Sequence, residues 1–132
     1  MIKLKFLHIS DYALFAHDDK LTISGIFHKV QVKELPATIP IFTITTGITG
    51  DAGKHKQVIE IYKPDGQLLI ASDKTELEIK EGAQAHFLAA FVGVSVPVLG
   101  AYRVRVKVGE NYIDNDDNVL MVEMAPAAPT AQ

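Results

Sequence analysis

The run Asp114-Asn115-Asp116-Asp117-Asn118 is the densest set of oxygen donors in the chain. Asp114, Asp116 and Asn118 fall at alternate positions, the spacing at which a calcium loop offers its first ligands. Val119 stands where such a loop needs glycine, and Ala125 where it needs a bidentate glutamate, so an EF-hand is excluded. Two readings stay open: a calcium site assembled from several loops, and solvated Asp/Asn turn chemistry without metal. If every connection reverses the chain, a parity count gathers Glu34, Asp65, Glu81, Glu110 and residues 114–118 at one end. Asp18, Asp19, Asp51 and Asp73 then share the other. The count fails if 72–75 is a bulge.

The histidines are His8, His17, His28, His55 and His86, with no His-x-His or His-x-x-x-His spacing among them. His8 and His28 lie on strands expected to pair, and His17 and His55 are expected to share the Asp18/Asp51 end. Partly exposed strand histidines are the ordinary account. The absence of cysteine removes thiolate zinc sites, iron–sulfur clusters, thiol nucleophiles and disulfide scaffolds together. No Gly-x-Ser-x-Gly, phosphate-cradling glycine loop or His-Glu-x-x-His is present. Arg103, Arg105 and Lys107 form a local basic stripe, but no aromatics interleave with them. With 13 Lys+Arg against 16 Asp+Glu and a net charge of −3, no nucleic-acid partner is expected. No cofactor and no catalytic residue are expected either.

At 132 residues the chain is one domain, and its 48% apolar content is too rich for disorder. Positioning any site falls to strands, because the dominant apolar period is two and turn signals recur about every ten residues. Residues 2–9 alternate, continue through Asp11–Phe15 past an irregularity, and return as a strand over 21–32. Pro36 and Pro40 bracket a loop before a strand over 41–49. Residues 57–62 and 67–71 flank a type I turn at Lys63-Pro64-Asp65-Gly66. A short strand at Leu77 and Ile79, a very apolar one over 84–96, an alternating one over 102–108 and a last one over 119–124 complete the set. Residues 111–118 read as a polar loop. The expected fold is therefore all-β, an antiparallel immunoglobulin-like β-sandwich of about eight to nine strands. The domain spans 1–124, and the Ala/Pro tail 125–132 is expected to be disordered.

Joined together, several segments carry a resemblance. Asp11-Tyr12, Leu21-Thr22-Ile23-Ser24-Gly25-Ile26-Phe27, the Leu35-Pro36…Pro40 loop, Tyr62-Lys63-Pro64-Asp65-Gly66 and Leu99-Gly100-Ala101-Tyr102 are the motifs. Together they resemble an uncharacterised bacterial family of small immunoglobulin-like β-sandwich proteins, a domain of unknown function. The resemblance covers most of the chain as short motifs and implies no catalytic residues. Tyr102 fits either the tyrosine corner of sandwich domains or an ordinary half-buried strand tyrosine.

From Ala83 to Tyr102 there is no Asp, Glu, Lys or Arg. A membrane span is not expected, because Gly93, Ser95, Pro97 and Gly100 interrupt the run. With no targeting signal at the start, the chain is expected to be cytoplasmic. Within 85–101 the apolar residues barely alternate, which implies burial on both faces, by the domain or by another copy. The expected function is a non-catalytic protein-interaction or assembly module, binding a protein partner or another copy of itself through Phe87, Phe91, Val94 and Val96. A loop-end ligand- or calcium-binding module is the alternative, and a small hydrolase ranks behind both.

Overall fold

The period of two is realised as eleven strands, with no helix among the described residues. The structure is a computed structural model that describes residues 1–18 and 20–126. Asp19, placed in an acidic loop end, and residues 127–132 of the tail expected to be disordered lie outside the described residues. One sheet is ordered β2 (Leu21–Ile26), β1 (Lys3–Phe15), β4 (Ala37–Thr49), β8 (Ala85–Val96). The other is ordered β3 (Lys29–Val32), β11 (Val119–Met124), β9 (Gly100–Val108), β5 (Gly53–Tyr62), β6 (Leu68–Ala71). There β10 (Asn111–Tyr112) also pairs with β9, and β7 (Thr75–Ile79) with β5. Every pair is antiparallel except β3 with β11. The all-β sandwich expected from the sequence is what forms.

More strands appear than the eight or nine expected, for local reasons. The anticipated 21–32 strand breaks at Phe27–His28, and its halves join different sheets. The loop expected between Pro36 and Pro40 is already strand. At that end β4 pairs with β8 alone, so the N–H that Pro40 lacks costs no second ladder. Residues 72–74 are a break, not a reversal. Both β6 and β7 run antiparallel to β5, and Ser72 bonds Ile59 through its backbone and its hydroxyl. The parity count of the acidic loops therefore fails, as its own condition foresaw.

Inner faces of the two sheets meet in the core. Phe42 and Phe91, directly paired across β4 and β8, stack at 5.2 Å. Ile44, Ile59, Val104 and Leu120 pack around them. Gln57 Nε2 donates to Thr46 Oγ1 at 2.8 Å, a buried bond joining β5 of one sheet to β4 of the other. Tyr102 is fully buried, and its hydroxyl donates to Val98 O at 2.7 Å while accepting from Val98 N at 3.2 Å. That is the tyrosine-corner arrangement.

The strand β1 does not run straight. Its ladder with β2 pairs Ser10 with Ile26 and Tyr12 with Ser24 but skips Asp11 and Gly25. Gly25 has φ +74, and a Cβ there would strike the Asp11 carboxylate at 2.4 Å. Only glycine lets the two strands bend together at this point. Beyond the bend the hairpin crosses the outer face of its own sheet, bringing Phe15 to 6.5 Å from the ring of His86 on β8. This cover explains why Thr43, Thr45 and Gly47 are buried although they point away from the core. Thr45 Oγ1 is left without a hydrogen-bond partner there. Replacing Thr45 by Val removes an unpaired buried hydroxyl and keeps the shape. It is expected to raise stability by about 1 kcal/mol, seen as a melting temperature about 4 °C higher; a lower one would contradict the buried, unpaired state.

Candidate functional site

The uncharged run folds into β8 and the turn after it, and its lack of alternation has a mechanical cause. Phe87, Ala89 and Phe91 point inward, and so do Val94 and Val96, although the parity has changed between the two groups. The change falls at Gly93, whose φ is +66, opposite Pro40. Partner β4 changes phase at the same level: Ile39 is buried on one side of Pro40, Phe42 and Ile44 on the other. The ladder skips the Pro40–Gly93 pair. Two ordinary half-buried segments, joined by a change of phase that β4 and β8 make together without losing register, thus read in sequence as one strand buried on both faces.

This corrects the expected interaction residues. Phe87, Phe91, Val94 and Val96 all lie in the core, no more than 7% exposed, and offer nothing to a partner. The residues that do face outward are the ones between them. Val92 is 72% exposed and Ile41, its direct cross-strand neighbour, 55%. Ala90 is exposed and Leu88 half-buried beside them. No strand among the described residues continues the sheet beyond β8, so its outward N–H and C=O groups are open along that edge. Between this edge and the β6–β7 edge of the other sheet lies a groove of about 310 Å³, with Ala71, Ser72 and Asp73 opposite Phe87–Val92.

Above the start of β8 sits an aromatic–histidine stack. Phe6 lies 5.3 Å from His8 and 5.8 Å from His86, and Phe15 covers His86 from the hairpin. His86 Nε2 donates to Gln84 Oε1 at 2.8 Å. Phe15 remains 47% exposed, so the hairpin presents an apolar ring at the β8 edge. Sequence reading assigned neither Phe15, Ile41 nor Val92 to a surface. The outward pair Ile41 and Val92 would have been found by noticing Gly93 opposite Pro40.

The acidic run does not make a cation cage. The Asp114 side chain is 1% exposed, with its carboxylate 3.4 Å from Arg103 Nη2 and 3.4 Å from Arg105 Nε. It also accepts from Val106 N at 3.1 Å. Asp116 is exposed and bonds Arg103 at 3.0 Å, while Asn118 contributes its backbone carbonyl to Val104 N. A calcium ion at Asp114 would have to displace two guanidinium groups. Asp114, Asp116 and Asn118 are thus a clasp holding the β10–β11 connection to β9, not a metal site. Among the described residues no group of three or more His, Asp or Glu is placed to hold a metal.

The other expected clusters fare unevenly. His8 and His28 line one small cleft with Asp117, although β1 pairs with β2 and β4 and not with the strand after His28. His55 stays near Asp51, its Nε2 donating to Asp51 O. The basic stripe is occupied: Arg105 lies 3.8 Å above the Tyr112 ring. Tyr112 and Tyr62 both donate to Glu60 Oε1, at 2.7 and 2.8 Å. The Glu60 carboxylate holds the Tyr112 phenol well above its usual range. At the surface, the chain's amino terminus lowers Asp51, and the Gln31 amide, with Lys29 behind it, lowers Glu123.

Architecture and surface together define an all-β sandwich in which β8 forms a long, uncharged sheet edge. The chain belongs to a family of unknown function, DUF6941, whose model matches residues 5–115. No curated protein matches it. The described residues contain no helix long and apolar enough to cross a membrane.

Removing the clasp has a calculable sign. Asp114→Ala leaves two arginines without their shared carboxylate and the Val106 N–H without its acceptor. The arginines are 42% and 29% exposed and keep part of their solvation, so the cost falls below that of a fully buried broken pair, at about 2 kcal/mol. Denaturant unfolding measures it, and a loss under 0.5 kcal/mol would sink the clasp.

Proposed function

We propose that this protein is a non-catalytic assembly module that associates with a second copy of itself across the bare edge of β8. The observation that carries this reading is the composition of that edge. Edge strands of proteins that stay monomeric are guarded by charge, proline, shortness or a covering element. β8 is 12 residues long and contains no Asp, Glu, Lys, Arg or Pro. Beside it the exposed Val92 and Ile41 extend the apolar surface. A second copy fits because two uncharged strands meet without opposed like charges, whereas a charged partner strand would gain nothing from this edge.

The strand order β1-β4-β8 against β11-β9-β5-β6, together with the Tyr102 corner, supports reading the sandwich as immunoglobulin-like. The pairing of Asp114 with arginines, and of Glu60 with tyrosines, supports the non-catalytic reading over a hydrolase. A chain without cysteine depends on no oxidising compartment, which supports a cytoplasmic setting.

Charge placed on the edge tests the reading. Ala90 and Val92 are exposed, so Ala90→Lys and Val92→Lys should leave folding stability within about 0.5 kcal/mol. Light scattering over a range of protein concentrations is expected to show an associating wild type and monomeric variants with unchanged melting. A wild type that stays monomeric throughout, or association undiminished in both variants, would overturn it.

A further inference from the structure

We infer that the second copy pairs its β8 with this one antiparallel about a two-fold axis through Ala89, and that each hairpin seats Phe15 over the partner's Val92. The inference rests on the self-association proposed above and adds its geometry. A two-fold axis normal to the sheet carries outer face onto outer face. Residues directly opposite must then share parity, so only axes through a residue are allowed, not axes between residues. The regular stretch of β8 is Ala85–Val92, ending where Gly93 adopts φ +66. Its centre falls between Leu88 and Ala89, and of these two only an axis through Ala89 brings Val92 opposite a residue of that stretch. An axis there sets Leu88 opposite the partner's Ala90 and His86 opposite the partner's Val92.

Three observations favour that placement. Val92 is the most exposed apolar residue of β8, and this register puts it beside the one ring that overhangs the edge. Phe15, still half exposed on top of His86, gains a second apolar neighbour without moving. All side chains brought opposite one another are uncharged or histidine. The competing arrangement adds β8 of one copy to the far edge of the next, at β2 or β3. Both strands are short, six and four residues against the twelve of β8, and β3 also carries Lys29 paired with Glu123. Such head-to-tail addition does not close on itself, whereas the two-fold pair does.

Because the chain has no cysteine, introduced thiols are the only ones present. Leu88→Cys and Ala90→Cys, mixed in equal amounts and mildly oxidised, are expected to form a mixed disulfide dimer faster than either variant alone. Phe15→Ala is expected to weaken association about tenfold or more, the effect of losing roughly half a buried phenyl ring at each of two sites. Preferential cross-linking of Leu88→Cys alone or of Ala90→Cys alone would overturn the Ala89 axis. A wild-type dimer whose mixed variants cross-link no faster than a Thr22→Cys control would overturn the two-fold pairing while leaving edge-mediated association standing. A monomeric wild type would remove both.

Discussion

Thr43, Thr45 and Gly47 point away from the core and are nevertheless as inaccessible as Ile44 and Ile48 on the opposite face of β4. A strand covered on both sides must have something laid over its outer face, and here the cover is the chain's own first strand, the Phe6 ring from its first half and the bent hairpin from its second. Everything else about that sheet follows from this demand. The bend at Asp11 and Gly25 exists to swing the hairpin across. Gly47 is glycine because the Phe6 ring occupies the place of a Cβ, 2.2 Å from where one would sit. The hairpin reaches β8 but stops at its margin, leaving the edge itself uncovered.

The two sides of the sandwich are consequently unequal. On one side short strands end the sheets: β3 has four residues and lies parallel to β11, with Lys29 and Gln31 turned to Glu123. Those features discourage a further strand. On the other side β6 and β7 share the margin of one sheet, interrupted at Ser72, while β8, regular from Ala85 to Val92, forms the margin of the other. Packing alone does not demand this difference, since charged residues are tolerated at outward positions such as Glu76 and Glu78 on β7. The outward positions of β8 are instead His86, Leu88, Ala90 and Val92, with Ser95 beyond Gly93.

Much of the architecture was legible because local rules and the tertiary structure agree. Tyr102, Val104, Val106 and Val108 alternate with Arg103, Arg105 and Lys107, and the first set is the buried one. Lys63-Pro64-Asp65-Gly66 closes its turn through Gly66 N to Lys63 O at 2.9 Å. Reading failed where two strands alter phase together, because Gly93 is informative only beside Pro40, more than fifty residues away in sequence. At Asp11 the irregularity itself was legible, but not that the bend is matched by Gly25 across the hairpin. The oxygen run at 114–118 has a metal-like spacing, but the arginines that claim Asp114 sit on a different strand. In each case the missing information was a cross-strand neighbour. Periodicity along one segment does not contain it.

The bent hairpin also bears on the order in which the molecule assembles. Its own pairings, Ser10 to Ile26 inward to Phe15 with Leu21, join residues close in sequence, and such local contacts form within microseconds. The surface it lies on is made by β4 and β8, whose pairings span from Ala37 to Val96 and must wait for a long loop to close. An early hairpin therefore has no seat until the sheet beneath it is complete. Its docking becomes a late step that reports on the arrival of β8, and a probe on Phe15 would time the completion of the sheet rather than the birth of the turn.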